Sequence, residues 1–96
     1  MPKGYVIAHA NVTNPTAWAG YAAKASAAIK KYGGTPIVRG GRAETIEGHG
    51  VARNVVIEFA SFEAAKAYAT SAEYAAAKEL RQGAGTIDMV VVEGAG

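Results

Sequence analysis

Three runs carry apolar side chains on both faces that a β-strand presents: Val55-Val56-Ile57-Glu58-Phe59, Met89-Val90-Val91-Val92 and Tyr5-Val6-Ile7-Ala8. An antiparallel sheet with one face in water alternates apolar with polar residues, so these runs predict a sheet covered on both faces. The helical patterns in the chain suffice for one face. A second protein surface, most simply another copy of the chain, is expected on the other.

Taken in order, residues 5–12 predict a first strand, with Tyr5, Ile7, His9 and Asn11 on one side and Val6, Ala8, Ala10 and Val12 on the other. Thr13-Asn14-Pro15 is a helix start: Asn14 caps the free N–H groups, and Pro15 has no N–H to leave unpaired. Trp18, Tyr21, Ala22, Ala25, Ile29 and Tyr32 follow at helical spacing, and Gly33 is placed to end the helix. A second strand is expected at residues 35–39, continuing through 42–47 with a bulge at Gly40-Gly41. The turn at residues 47–50 then leads into a third strand at 53–59. Ser61 caps the next helix, Thr70-Ser71 interrupts it with Ser71 as a fresh cap, and residues 74–81 resume it. Residues 87–93 form the last strand.

This is the order β-α-β-β-α-β, an α+β fold of the ferredoxin-like kind: a four-stranded antiparallel-type sheet with both helices on one face. With 96 residues the chain makes a single domain, residues 1–96, and its many alanines leave a lean core that association would enlarge. Ten Lys and Arg against eight Asp and Glu are scattered without a basic block, so neither nucleic acid nor a membrane surface is expected as a partner. The absence of cysteine excludes disulfides and thiolate chemistry, and no apolar run is long enough to serve as a signal or to span a bilayer. A cytoplasmic protein is expected.

Lys3-Gly4-Tyr5, Val12-Thr13-Asn14-Pro15, Tyr32-Gly33-Gly34, Val38-Arg39-Gly40-Gly41, Glu47-Gly48, Arg53 through Phe59, Ser61-Phe62-Glu63-Ala64-Ala65, Ser71 with Tyr74, Arg81 and Val92-Glu93-Gly94 together resemble a family known as domain of unknown function 1330. That family lies within the dimeric α+β barrel superfamily. One departure is Asn14, where the family's pattern usually has aspartate; both residues cap well. The resemblance implies a homodimer in which two sheets face one another with the helices outside. It implies no activity: superfamily members elsewhere resemble cofactor-free monooxygenases and isomerases, or bind haem, and an activity is not carried across on fold alone.

His9 is the first candidate for chemistry, as a general base or an orienting group on a strand; its plainer role is that of a buried, hydrogen-bonded histidine. Arg39, before the glycine pair, suits a carboxylate of a ligand or an ion pair with Glu47, Glu58 or Asp88. Glu58, within the most apolar strand, is expected to neutralise Arg39 or Arg53, with an acid-base role as the alternative. Tyr21, Tyr68 and Tyr74 read as core residues, and Tyr21 and Tyr68 are placed to line a pocket between helices and sheet. His9 and His49 make no metal-binding spacing, so no metal is expected, and no cofactor motif is present. These residues predict a dimer that binds a small aromatic or carboxylate-bearing metabolite through His9, Tyr21, Arg39, Glu58 and Tyr68. The alternatives are a cofactor-independent oxygenase or isomerase, which requires His9 to meet Arg39 or Glu58 in one cavity, and a structural dimer without ligand.

Overall fold

The computed structural model describes residues 2–96. Its elements are β1 (Gly4–Val12), α1 (Pro15–Lys31), β2 (Thr35–Arg39), β3 (Arg53–Phe59), α2 (Phe62–Ala69), α3 (Ala72–Glu79) and β4 (Gly85–Glu93). The strands form one antiparallel sheet in the order β2-β3-β1-β4, which fits the ferredoxin-like arrangement.

Short-range chemistry sets the helix ends. The Asn14 side chain accepts from the backbone N–H of Ala17 at 3.2 Å, and Pro15 opens α1. At the other end Gly33 takes φ +78°, so the N–H groups of Gly33 and Gly34 turn back onto the carbonyls of Lys30 and Ile29. Ser71 acts on two helices at once: its hydroxyl donates to the Tyr68 carbonyl at 2.7 Å and accepts from the Tyr74 N–H at 3.0 Å. It thereby closes α2 and opens α3, the break expected from Thr70-Ser71.

The helices cover one sheet face. Val6, Ala8, Ala10, Ile57 and Phe59 point toward them and are buried against Trp18, Tyr21, Ala25, Ile29, Ala65 and Tyr68. The result is a slab of 38 × 34 × 17 Å, two layers thick. On the far face, register places Val90, Ile7 and Val56 in one row, Val92, Tyr5 and Glu58 in a second, and Asp88, His9 and Asn54 in a third. This face is open in the single chain, and Val90 is 53% exposed.

The second strand is shorter than the sequence predicts. It ends at Arg39, and its irregularity falls between Pro36 and Val38 rather than at the glycine pair. A strand continuing through residues 42–47 would have nothing to pair with, because β3 begins only at Arg53. Gly40, at φ +67°, turns the chain out of the sheet after a last bond from its N–H to the Asn54 carbonyl, and residues 41–50 are all exposed.

One exposed contact ties α1 to α3. Glu73 accepts from the Lys31 ammonium and from the Tyr32 hydroxyl, the latter at 2.9 Å. The Lys31 bond first, then a backbone N–H and Tyr32, hold the Glu73 carboxyl down from its ordinary 4.5 to about 2. A carboxyl depressed in the folded state stabilises it above the unfolded value, and that contribution disappears as pH falls toward the folded value. Urea midpoints of the native chain and of Glu73→Gln should therefore differ above pH 4.5 and converge toward pH 2. A constant separation at every pH would show that the contact carries no such linkage.

Candidate functional site

Between α1 and the sheet lies a cavity of about 70 Å3, floored by Ala8 and Ala10 and roofed by Ala22 and Ala25. Four methyl side chains in facing positions leave the gap, and Trp18, Tyr21, Ile57, Tyr68 and Met89 wall it. Arg39 and Arg53 also line it, and they supply its charge. Arg39 comes from the end of β2, where its Nη2 donates to Ser26 Oγ on α1 at 2.9 Å. Arg53 opens β3 on the same face as Val55, Ile57 and Phe59, by the two-residue period of the strand. Neither guanidinium forms an ion pair among the described residues, whose two salt bridges are Lys3–Glu58 and Lys31–Glu73.

The inner wall is an aromatic chain. Trp18 meets Tyr21 edge-on at 5.1 Å between centroids, Tyr21 meets Tyr74 at 6.2 Å, Tyr74 meets Tyr68 at 5.3 Å, and Tyr68 stacks on Phe59 at 5.4 Å. The hydroxyls of Tyr21 and Tyr74 bond to one another at 3.0 Å. Burial above all, and then this bond, push the Tyr21 hydroxyl up from its ordinary 10.0; burial does the same to Tyr68. Both remain protonated at neutral pH and serve as wall and hydrogen donor rather than as bases. Arg81 stacks its guanidinium 5.4 Å from the centre of the Tyr21 ring, with its buried Nε lacking a hydrogen-bond partner among the described residues.

Of the five residues predicted to bind a ligand, Tyr21, Arg39 and Tyr68 line this cavity, while His9 and Glu58 stand on the open sheet face. Glu58 does not neutralise Arg39 or Arg53. Strand alternation points it away from them, and it accepts from the Tyr5 hydroxyl at 3.2 Å and pairs with Lys3 at 3.5 Å. Glu58 on β3 lies opposite Tyr5, four residues along β1 from His9, which itself pairs with Asn54. The convergence that an oxygenase or isomerase would require of His9 with Arg39 or Glu58 is not made within one chain.

His9 has a defined environment of its own. Asn54 Nδ2 donates to the Val51 carbonyl at 3.2 Å, which turns Asn54 Oδ1 toward His9 Nδ1 at 2.7 Å. An amide oxygen only accepts, so the neutral imidazole carries its hydrogen on Nδ1 and its lone pair on Nε2. Glu44, Thr45, His49 and Asp88 surround this end of the sheet. No group of three or more His, Asp or Glu side chains among the described residues is placed to hold a metal ion.

Arg53 and Ser26 are the cavity residues that sequence reasoning passed over. For Arg53 the signal was present: it shares the parity of Val55, Ile57 and Phe59 and so had to face the helices. Ser26 had no such signal, because its use depends on where the edge strand ends.

The chain is similar to the RPA0582 protein of unknown function from Rhodopseudomonas palustris, with TM-score 0.73 and 14% identity over 99% of this chain and 84% of that one. It is likewise similar to the methylated RPA0582 protein, with TM-score 0.71 and 15% identity over 99% and 82%. No curated protein matches the chain. Residues 3–95 match the family described as "Domain of unknown function (DUF1330)", and the chain belongs to that family.

Proposed function

We propose that the chain works as a homodimer closed through its open sheet face, and that each copy binds a small anionic metabolite between α1 and the sheet. The observation that carries the binding reading is the pair Arg39 and Arg53: two guanidiniums without a carboxylate partner among the described residues, on the edge of an apolar cavity. Charged donors left over beside an apolar gap suit a molecule with an acidic head and an apolar body. The size of the gap limits that body. A cavity of about 150 Å3 accepts benzene, so 70 Å3 suits a short branched aliphatic group, with the head held outward by the arginines. The dimer reading rests on the row Val90, Ile7 and Val56, flanked by Val92 and by Val38, which is 43% exposed.

Isobutyrate is a fitting probe, followed through backbone amide shifts of Ala22, Ala25 and Ser26. Saturable shifts are expected. Losing a charged hydrogen-bond donor costs about 1.5–3 kcal/mol, so the double variant Arg39→Gln, Arg53→Gln, which leaves the carboxylate no guanidinium, should weaken binding at least roughly ten- to a hundredfold. If the shifts do not saturate, or if the double variant binds as tightly as the native chain, the cavity is not an anion site.

A further inference from the structure

One glycine stands beside both arginines. Gly40 follows Arg39 in the chain, and the Arg53 guanidinium packs over it so closely that a methyl group there would lie 3.0 Å from Arg53 Cζ and nearer still to Nη1. Gly40 also has φ +67°, which a side chain would strain. Its bare backbone lets the guanidinium of β3 settle beside the residue that ends β2, on the side facing α1. Two positive groups are thereby gathered at one cavity edge, with no carboxylate of the described residues paired to either. Ser26 occupies one nitrogen of Arg39, and the remaining N–H donors of both forks are free for a ligand.

From this we infer that the head group taken by the site is a phosphate monoester, and that Gly40 is the positioning residue that sets this preference. The inference rests on the anion-binding reading above and refines it. One guanidinium meets both oxygens of a planar carboxylate in parallel and neutralises its single charge. A second guanidinium can share those oxygens but finds no charge left to neutralise, so the site keeps an uncompensated positive charge. A phosphate monoester carries close to two negative charges at neutral pH and three terminal oxygens arranged as a tripod. Two forks approaching from β2 and β3 can both be satisfied by it, and the charges balance.

Isobutyrate and isopropyl phosphate share the same apolar body and differ in head group, so their affinities at pH 8 separate head from body; inorganic phosphate lacks the body altogether. Isopropyl phosphate is expected to bind about tenfold tighter than isobutyrate, one extra charged contact's worth, and tighter than inorganic phosphate. In Gly40→Ala that ratio should fall to near one while isobutyrate affinity changes little, which a general loss of folding would not produce. Arg53→Gln, free of any backbone strain, should give the same collapse of the ratio. Equal binding of isobutyrate and isopropyl phosphate by the native chain would overturn the phosphate inference and leave the anion site standing. Binding of inorganic phosphate as tight as isopropyl phosphate would also overturn it, as showing a free-phosphate site with no use for the apolar cavity. If none of the three binds, the failure belongs to the anion reading itself.

Discussion

Ile7→Glu is expected to turn a dimer into a monomer while leaving each chain folded. Ile7 sits at the middle of the central strand, between Val56 on β3 and Val90 on β4, with its side chain on the face the helices leave open. A glutamate there is solvated in a lone chain and costs little. In a dimer closed through this face it would be buried among valines, twice over and near the two-fold axis, with no cation within its row. An unpaired buried charge costs several kcal/mol, so a loss of at least about 4 kcal/mol, or roughly a thousandfold in dissociation constant, is expected. Sedimentation velocity should give twice the 9.8 kDa chain mass for the native protein and the single mass for the variant, with the same far-ultraviolet circular dichroism. A native chain that sediments as a monomer at about 10⁻⁴ M, well above a typical stable dimer's dissociation constant, would sink the dimer reading.

The apolar character of the open sheet face was legible from residue order alone, because β1, β3 and β4 carry apolar residues on both parities. Helix ends were equally legible. Asn14, Ser61 and Ser71 act on N–H groups three residues away, so no long-range knowledge was needed to place them. What failed needed pairing across the chain. A second strand extended through residues 42–47 avoids the very short strands that a hairpin at Gly40-Gly41 would leave, but a strand forms only where a neighbour offers a ladder, and β3 begins after them. The expected Glu58–Arg pairing fails for a different reason: opposite sign does not fix a face. Glu58 and Arg53, five residues apart on β3, stand on opposite faces, and Arg39 is in register with Val55, on the side of Arg53. His9 lies outside the cavity for the same reason. Its own strand places it with Tyr5 and Ile7, on the open side.

Tyr68→Ala is expected to be the most damaging single change to the fold. Tyr68 is 1% exposed, stacks on Phe59 at 5.4 Å and meets Tyr74 edge-on at 5.3 Å, so it joins α2 to β3 and to α3 at one point. Truncating a buried aromatic to alanine costs about 3–5 kcal/mol, the lost transfer energy plus the hole left behind. Here the hole cannot close easily. Tyr68 already borders the 70 Å3 cavity, and its other neighbours include Ala65 and Ala77, which have no length with which to fill space. The upper part of that range is therefore expected. In a domain of 60–100 residues each kcal/mol moves the melting temperature by roughly 4–8 °C, so a fall of about 15–40 °C should appear in thermal scans at fixed protein concentration. Tyr74→Phe provides the contrast, since it keeps the ring and removes only the hydroxyl bonded to Tyr21, a loss of about 0.5–1.5 kcal/mol. If Tyr68→Ala cost no more than Tyr74→Phe, the aromatic chain would be a set of loosely placed rings. The expected gap between them would instead show that its shape, rather than its single hydrogen bond, holds the helices over the sheet and keeps the cavity between Arg39 and Tyr21 open.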